Sequence, residues 1–528
     1  MKRIKAILIV LLITPLASIP QTKPKKAPNI LICIADDASF AHFSANGSNW
    51  VKTPAFDYVA KNGLLFNKAY TPNAKCAPSR ACILTGRNSW QLEELGNHLA
   101  YWPAKYGSVF ETLKINGYHT GYTGKGWAPG DPGIVDGKAR ELTGRAYQSK
   151  KLIPASQGIS NTDYVNNFKD FLNQKKADEP FAFWFGSWEP HRAYEYGSGA
   201  KHGLDIRTID DIPPFLPDVD SVRNDLLDYA FEVQDFDSQI AGMVKALKEK
   251  NMLDNTIIIV TSDNGMPFPR IKGQEYEYSN HLPLAIMWKD GIVSPGRKID
   301  DFVSFIDFAP TFLELAQVPE VKNNLQPVQG KSLVKVFKSV QSKNIEQGRD
   351  YVIFGKERHD IGRPNDWGYP IRAIVKDDFI FIKNFEPDRW PAGNPETGYT
   401  NTDGSPTKSV ILNQNRRDPG HNIFYQWAFG KRPAEELYNL KTDPFCVNNL
   451  ALNPIYGNTL LKLKDKLLED LKEQKDPRMF GNGSVFEKYE VTQDPDFYNR
   501  FLKGEKLKTG WLWPADFETD KRIIEGLK

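Results

Sequence analysis

The sequence predicts an α/β protein: a large domain on a mixed, mostly parallel sheet flanked by helices, followed by a smaller α+β domain. Three observations predict it. Short apolar runs alternate with helical patterns over most of the chain, as strands and crossover helices do in a parallel sheet. Polar residues gather at the ends of those runs, and the texture changes near residue 375. With 528 residues the chain has room for both domains, at about 150 residues each as a loose prior.

The first run, NILICIADD from Asn29 to Asp37, is almost continuously apolar and ends in two carboxylates. A strand of that kind is buried on both faces. Similar runs follow as HTGYTGKG (119–126), FAFWFGSW (181–188), TIIIVTSDNG (256–265) and LPLAIMW (282–288). Between them lie helical patterns such as SVFETLKING and a long stretch from Leu226 to Lys250. In open α/β sheets the C-terminal edge of the strands is where ligands bind, so the polar run ends are the candidate site. Beyond residue 375 come DDFIFIKN, a Pro/Gly/Asn-rich stretch from Glu386 to Pro406, ELYNLKTDPFCVNNLA and a charged helix, TLLKLKDKLLEDLKEQ. The expected boundaries are a leader over 1–20, a large domain over 21–375 and a small one over 376–528, with no internal repeat.

Composition narrows the class. Hydrophobic residues make up 40% and charged residues 25%, the balance of a soluble globular protein. The start, MKRIKAILIVLLITPLASIP, has a basic head, an apolar core from Ala6 to Leu12 and small residues at Ala17-Ser18. It reads as a signal peptide, too short to span a bilayer, so the mature chain is expected in the periplasm or outside the cell with no membrane span. Its 68 basic and 65 acidic residues give +3, and losing the basic leader leaves the chain near neutral. No global field then attracts nucleic acid; affinity for an anion must be local. The 12 Trp, 21 Tyr and 31 Phe supply core and also suit a carbohydrate-binding rim. Four cysteines, Cys33, Cys76, Cys82 and Cys446, are too few for a disulfide framework. Cys33 lies in a strand and Cys82 in a helix, both as core.

Cys76 opens the string CAPSRACILTGR. Pro78 suits the first turn of a helix, which puts Cys76 just before a helix N-terminus. Free N–H groups there favour negative charge, so the thiol is expected to be acidified and could itself serve as nucleophile.

The same string, with Cys76, Pro78, Ser79, Arg80, Thr85, Gly86 and Arg87 in place, resembles the signature of the formylglycine-dependent (type I) sulfatases. A formylglycine-generating or anaerobic sulfatase-maturating enzyme reads that signature and converts the Cys. The resemblance implies the alkaline-phosphatase/sulfatase-like fold. It extends to Asp36 and Asp37, to Asp263 and Asn264 in TSDNG, and to ELYNLKTDPFCVNNLA, and so runs from about residue 28 to 452. Four oxygen donors without thiolate or imidazole suit a hard cation; the resemblance implies one Ca2+ held by Asp36, Asp37, Asp263, Asn264 and the modified Cys76. WEPHRAY (188–194) and TSDNGMPFPRIKG (261–273) are similar to segments of the heparan N-sulfatase (sulfamidase) branch. That branch also holds sulfatases for other polysaccharides, so ulvan-type and heparan-type glycans, and N- and O-sulfates, all stay open.

The resemblance also implies a mechanism. Formylglycine hydrates to a geminal diol; one hydroxyl attacks sulfur and expels the alcohol or amine, and the other then loses its proton, releasing sulfate and restoring the aldehyde. Arg80 would orient the diol, Lys125 and Lys272 would grip the sulfate, and His191 would protonate the leaving group, an imidazole being able to titrate near working pH. Arg270 is an alternative to Lys272. His281 reads equally as structural or substrate-binding, and Arg358, His359 and Arg363 are expected to contact glycan. One departure stands out: where many sulfatases have Gly-Lys-Trp-His, this chain has Gly124-Lys125-Gly126-Trp127-Ala128. Either another residue supplies that donor or the leaving group differs. Two rival readings are a phosphatase or phosphodiesterase of the same superfold, commonly a two-metal site, and a non-catalytic glycan-binding relative.

Overall fold

Alternation along one strand organises the large domain. In the computed structural model, which describes residues 26–210 and 212–526, strand β1 spans Asn29–Ala35 and is buried throughout. Successive side chains of a strand point to opposite faces, and here Ile30, Ile32 and Ile34 enter one hydrophobic core while Leu31, Cys33 and Ala35 enter another. Both faces are therefore covered, which is why the run reads as continuously apolar. The expected leader over 1–20 lies outside the described residues.

Around β1 the sheet takes in β2 (Leu64–Phe66), β3 (His119–Gly124), β4 (Arg145–Ala146), β5 (Phe181–Gly186), β6 (Thr256–Ser262), β7 (Leu284–Met287) and β8 (Arg297–Ile299). The eight strands lie in the order β8-β2-β7-β6-β1-β5-β3-β4. β1 pairs in parallel with β5 and with β6, Ile32 facing Trp184 on one side and Ile259 on the other. β7 runs antiparallel to both its neighbours, so the LPLAIMW run is the reversed member of a mostly parallel sheet. A 30-residue helix, Asp220–Glu249, covers the face that carries Leu31 and Cys33; it begins six residues before the expected Leu226. The helix Val109–Ile115 on the other face is capped by Ser108 and Glu111 in a capping box.

A second sheet of four antiparallel strands follows in the order β9-β10-β11-β12: β9 (Tyr351–Lys356), β10 (Ile371–Lys376), β11 (Phe379–Asn384) and β12 (Glu435–Asn439). It starts at Tyr351, so the boundary expected at 375/376 falls inside β10. The charged C-terminal pattern forms the helix Gly457–Glu473. Its Leu460, Leu463, Leu467 and Leu471 share a core with Ile353, Ile374, Phe381 and Leu437 of the sheet, the spacing of one apolar helix face. Among the described residues no helix is long and apolar enough to cross a membrane.

Candidate active site

The site forms where four neighbouring parallel strands end. Asp36 and Asp37 follow β1, Asp263 and Asn264 follow β6, Lys125 follows β3, and the turn carrying His191 follows β5. A helix over Cys76–Thr85, buried along its whole length, points its N-terminus at this edge. Cys76 is its first residue and Lys75 its N-cap, one position further in than expected. The helix ends at Gly86, whose φ of 68° and amide bond to the Cys82 carbonyl make the left-handed cap that glycine favours.

Around Cys76 the polar atoms converge. Its Sγ lies 3.3 Å from Asp36 Oδ1, 4.0 Å from Asp37 Oδ1 and 3.9 Å from Asn264 Oδ1. The second oxygens of the two aspartates face lysines: Lys125 Nζ is 2.6 Å from Asp36 Oδ2, and Lys272 Nζ is 2.7 Å from Asp37 Oδ2. Arg80 donates from Nε to Asp263 Oδ2 at 2.8 Å and from Nη1 to the Lys125 carbonyl at 2.8 Å, while its buried Nη2 has no hydrogen-bond partner. Close approach makes this possible: a Cβ on Gly186 would stand 1.8 Å from the Lys125 carbonyl oxygen and 2.9 Å from Arg80 Nη1.

Charge in this buried cluster is nearly matched. Burial opposes ionisation of Asp36, but the charges facing it, Lys125 foremost with Arg80 and Lys272, outweigh that and hold the carboxyl well below its usual range. Asp263 is pushed up by burial and then by the charge of Asp36. Burial, and after it Asp36, pushes the Cys76 thiol well up as well, so the helix N-terminus does not by itself produce the acidified thiol expected from the sequence.

A hard cation fits this donor set. Ligand atoms of Asp36, Asp37, Asp263 and Cys76 all lie within 4.8 Å of one another, and three carboxylates with one amide oxygen are the donors such an ion takes. A second group, Asp37, His191 and Asp403, is equally compact, but Lys272 already fills it. Its Nζ sits 2.7 Å from Asp37 Oδ2, 2.7 Å from Asp403 Oδ2 and 2.9 Å from His191 Nε2. An ammonium thus stands where a two-metal hydrolase would need its second ion. His191 Nδ1 lies 2.5 Å from the Arg192 carbonyl, and that oxygen can only accept. The ring therefore carries its proton on Nδ1 and takes a hydrogen bond from Lys272 at Nε2.

These groups floor a cavity of about 590 Å³ lined by Cys76, Lys125, His191, Lys272 and Asp403. Its size is that of a small-ligand site. The structure thus brings together Asp36, Asp37, Cys76, Asp263, Asn264, Arg80, Lys125, Lys272 and His191. Arg270 points elsewhere, its Nη1 donating to the Trp427 carbonyl.

Four residues expected to bind substrate are not brought to the cavity. His281 is stacked between Phe40 and Tyr70, with Nδ1 2.7 Å from Glu277. Arg358 donates to the Tyr489 carbonyl, His359 bonds Asn73, and Arg363 donates to the Trp390 and Pro391 carbonyls. All three are buried, and the bonds they do make are to the protein's own loops. In their stead the wall carries Asp360 and Ile361 from the same loop, with Lys75, His98, Trp188, Thr400, Asp403 and the segment Lys508–Trp511. Lys75 adjoins Cys76 in sequence, so the motif's own position signals it. Asp403 and Trp511 sit in stretches without a motif.

The N-sulphoglucosamine sulphohydrolase C-terminal family matches residues 272–379. An ulvan-active sulfatase of Formosa agariphila is 26% identical over 500 residues, spanning 85% of this chain and 75% of its own. Human N-sulphoglucosamine sulphohydrolase is 25% identical over 494 residues, 87% of this chain and 93% of its own. The solved structure of BT4656 in complex with its substrate D-glucosamine-2-N,6-O-disulfate shares the fold at a TM-score of 0.61 and 19% identity, covering 86% of this chain and 99% of that one. The sulfatase family matches residues 28–318, more than half of the 528, and the chain, a sulfuric ester hydrolase, belongs to that family.

Proposed function

We propose that this sulfatase is exported by its N-terminal leader and releases sulfate from a sulfated polysaccharide, or its oligosaccharides, of the ulvan or heparan type. It does so with a formylglycine at position 76 and one Ca2+ held by Asp36, Asp37, Asp263 and Asn264. The observation that carries the reading is the position of Cys76: carboxylate and amide oxygens lie on one side, and the ammonium groups of Lys125 and Lys272 join the same cavity. The names of two relatives, an ulvan-active sulfatase and an N-sulphoglucosamine sulphohydrolase, support a sulfated glycan as substrate.

A sulfate group presents anionic oxygens, so attack on sulfur needs fixed positive charge around them. Ca2+ would add to that charge, and a formylglycine hydrate would supply the attacking hydroxyl together with a second one through which sulfate can leave. Lys125 and Lys272 grip the sulfate oxygens. Lys272 and His191 share a proton beside the cavity and deliver it to the departing oxygen or nitrogen. Arg80 holds Asp263 and the Lys125 backbone in place. The helix from Cys76 to Thr85 is buried throughout, so the maturation enzyme must read the motif before the chain folds.

A panel of sulfated ulvan and heparan fragments, assayed for free sulfate, tests the proposal, with Cys76→Ala as control. Release from at least one glycan and none from the variant is the expected result. Failure on every glycan by protein whose Cys76 has been converted would overturn it.

A further inference from the structure

Two features of the cavity wall play no part in the chemistry above. The first is a charged trio. Asp360 holds Lys75 Nζ at 2.7 Å from Oδ2 and His98 Nδ1 at 2.7 Å from Oδ1, and the His98 amide is fixed to the Arg358 carbonyl at 2.9 Å. His98 is only 8% exposed, yet it lines the cavity and its Nε2 has no hydrogen-bond partner. A buried polar atom left unpaired is unfavourable, and a ligand atom in the cavity would pair it. The second feature is aromatic. Trp188 and Trp511 line the same cavity and stay 44% and 54% exposed, which leaves ring face open to it.

Both tryptophans stand beside the reacting groups. Lys125 Nζ lies 5.5 Å from the Trp188 ring centroid, and the Trp511 ring meets His191 edge-on at 5.8 Å. Trp511 reaches this place from the far C-terminus, beyond both family matches, which end at 318 and 379. Its segment is pinned: the Gly404 amide donates to the Trp511 carbonyl at 2.8 Å, one residue from the Asp403 that holds Lys272, and the Lys508 amide donates to Asp494 at 3.3 Å.

We infer that His98 and Trp511 form a subsite for the sugar ring that bears the scissile sulfate, Trp511 stacking on the ring and His98 Nε2 accepting a hydrogen bond from a free hydroxyl of it. The inference rests on the glycan-sulfatase reading and adds what the site demands of the sugar. The Asp360 carboxylate accepts the Nδ1 proton, so Nε2 carries the lone pair, and burial keeps the ring below its ordinary protonation range. A hydroxyl can donate to that lone pair and can also accept from Lys75. A second sulfate or a carboxylate, having only acceptors, would face Nε2 unpaired. The subsite therefore selects a ring whose hydroxyl at this position is unsubstituted.

The test uses full-length Trp511→Ala, Trp511→Phe, His98→Leu and His98→Gln proteins, each checked by thermal melting. Sulfate release is measured on ulvan and heparan oligosaccharides and on 4-nitrophenyl sulfate, with inorganic sulfate as inhibitor. Trp511→Ala and His98→Leu should each lower kcat/KM on the glycan about tenfold, the scale of one lost contact, mainly through KM. Trp511→Phe, which keeps a ring, and His98→Gln, which keeps an acceptor, should recover most of it, and inhibition by inorganic sulfate should be unchanged in all four. Undiminished glycan turnover in Trp511→Ala and His98→Leu would overturn the subsite, as would an equal loss of affinity for inorganic sulfate. Wild-type protein that hydrolyses 4-nitrophenyl sulfate but no glycan would overturn the glycan reading beneath it, and the subsite with it.

Discussion

Lys272 Nζ lies 2.9 Å from His191 Nε2, which joins the two side chains by a direct hydrogen bond. The ammonium is held by Asp37 and Asp403, and those charges outweigh burial to keep its pKa well above the ordinary lysine value. His191 is pulled the other way, first by burial and then by Lys272. Proton donor and proton acceptor are thus in contact on the wall of the cavity.

Residues that act as a unit show strongly non-additive losses. His191→Ala and Lys272→Ala are each expected to lower kcat by about 10²–10⁴-fold, the range of general acid–base catalysis. The double variant should fall little further. Steady-state kinetics of the three proteins check this, and fully additive losses would show that the two residues act separately.

Removal of metal gives a second expectation. Asp36, Asp37 and Asp263 are completely buried, and three carboxylates converging on one point repel each other without a cation between them. Chelation should lower both Tm and sulfate release, and Ca2+ should restore them; at 100 times Kd a bound ion stabilises by about 2.7 kcal/mol. Melting curves with EDTA and with added Ca2+ or Mg2+ measure it. Unchanged Tm and activity in metal-free protein would rule the cation out.

Gly186 offers a purely steric test. An added Cβ would stand 1.8 Å from the Lys125 carbonyl oxygen, a backbone atom that cannot rotate away. Gly186→Ala should therefore displace Lys125, cost about 1–3 kcal/mol as overpacking does, and cut kcat/KM more than tenfold. Denaturant unfolding and kinetics read the two effects. A variant with wild-type values in both would show that the Arg80–Lys125 arrangement tolerates movement.

Much of this site was legible in the sequence for a physical reason. Cys76, Arg80 and the four oxygen donors sit in short strings at strand or helix ends, where the local sequence sets both position and direction. Lys125 and His191 follow strands in the same way. Asp403, Trp511 and the His98–Asp360 contact were not legible, because loops distant in sequence meet only through tertiary packing. Arg358, His359 and Arg363 misled for the converse reason: in a loop, charge and aromaticity look alike whether the side chain faces ligand or satisfies buried carbonyls. The reversed strand β7 has the same apolar content as its parallel neighbours, and composition alone does not report direction. The start of the second sheet at Tyr351 was hidden because β9 reads like another strand of the first.

Asp237 supplies a pH-dependent prediction away from the site. Its carboxylate accepts the Ala55 and Phe56 amides at 2.9 and 2.8 Å, and burial nonetheless pushes its pKa up to about 7. The unfolded value is about 3.9, so between those pH values the folded chain holds more of this proton than the unfolded one. Stability from this group therefore falls as pH rises through that window, by about 1.4 kcal/mol per pH unit, and is flat above it. Asp237→Asn should remove that slope when denaturant unfolding is compared from pH 4.5 to 7.5, a window set by those two pKa values. An identical slope in the variant would show that Asp237 is ionised throughout.

The mechanism turns on the side chain at position 76, which mass spectrometry of its peptide reads. In active protein from a host with a maturation enzyme, that peptide should be lighter by the difference between a CH2SH and a CHO group and should react with a carbonyl reagent. Active protein whose Cys76 is entirely unmodified thiol would contradict the account.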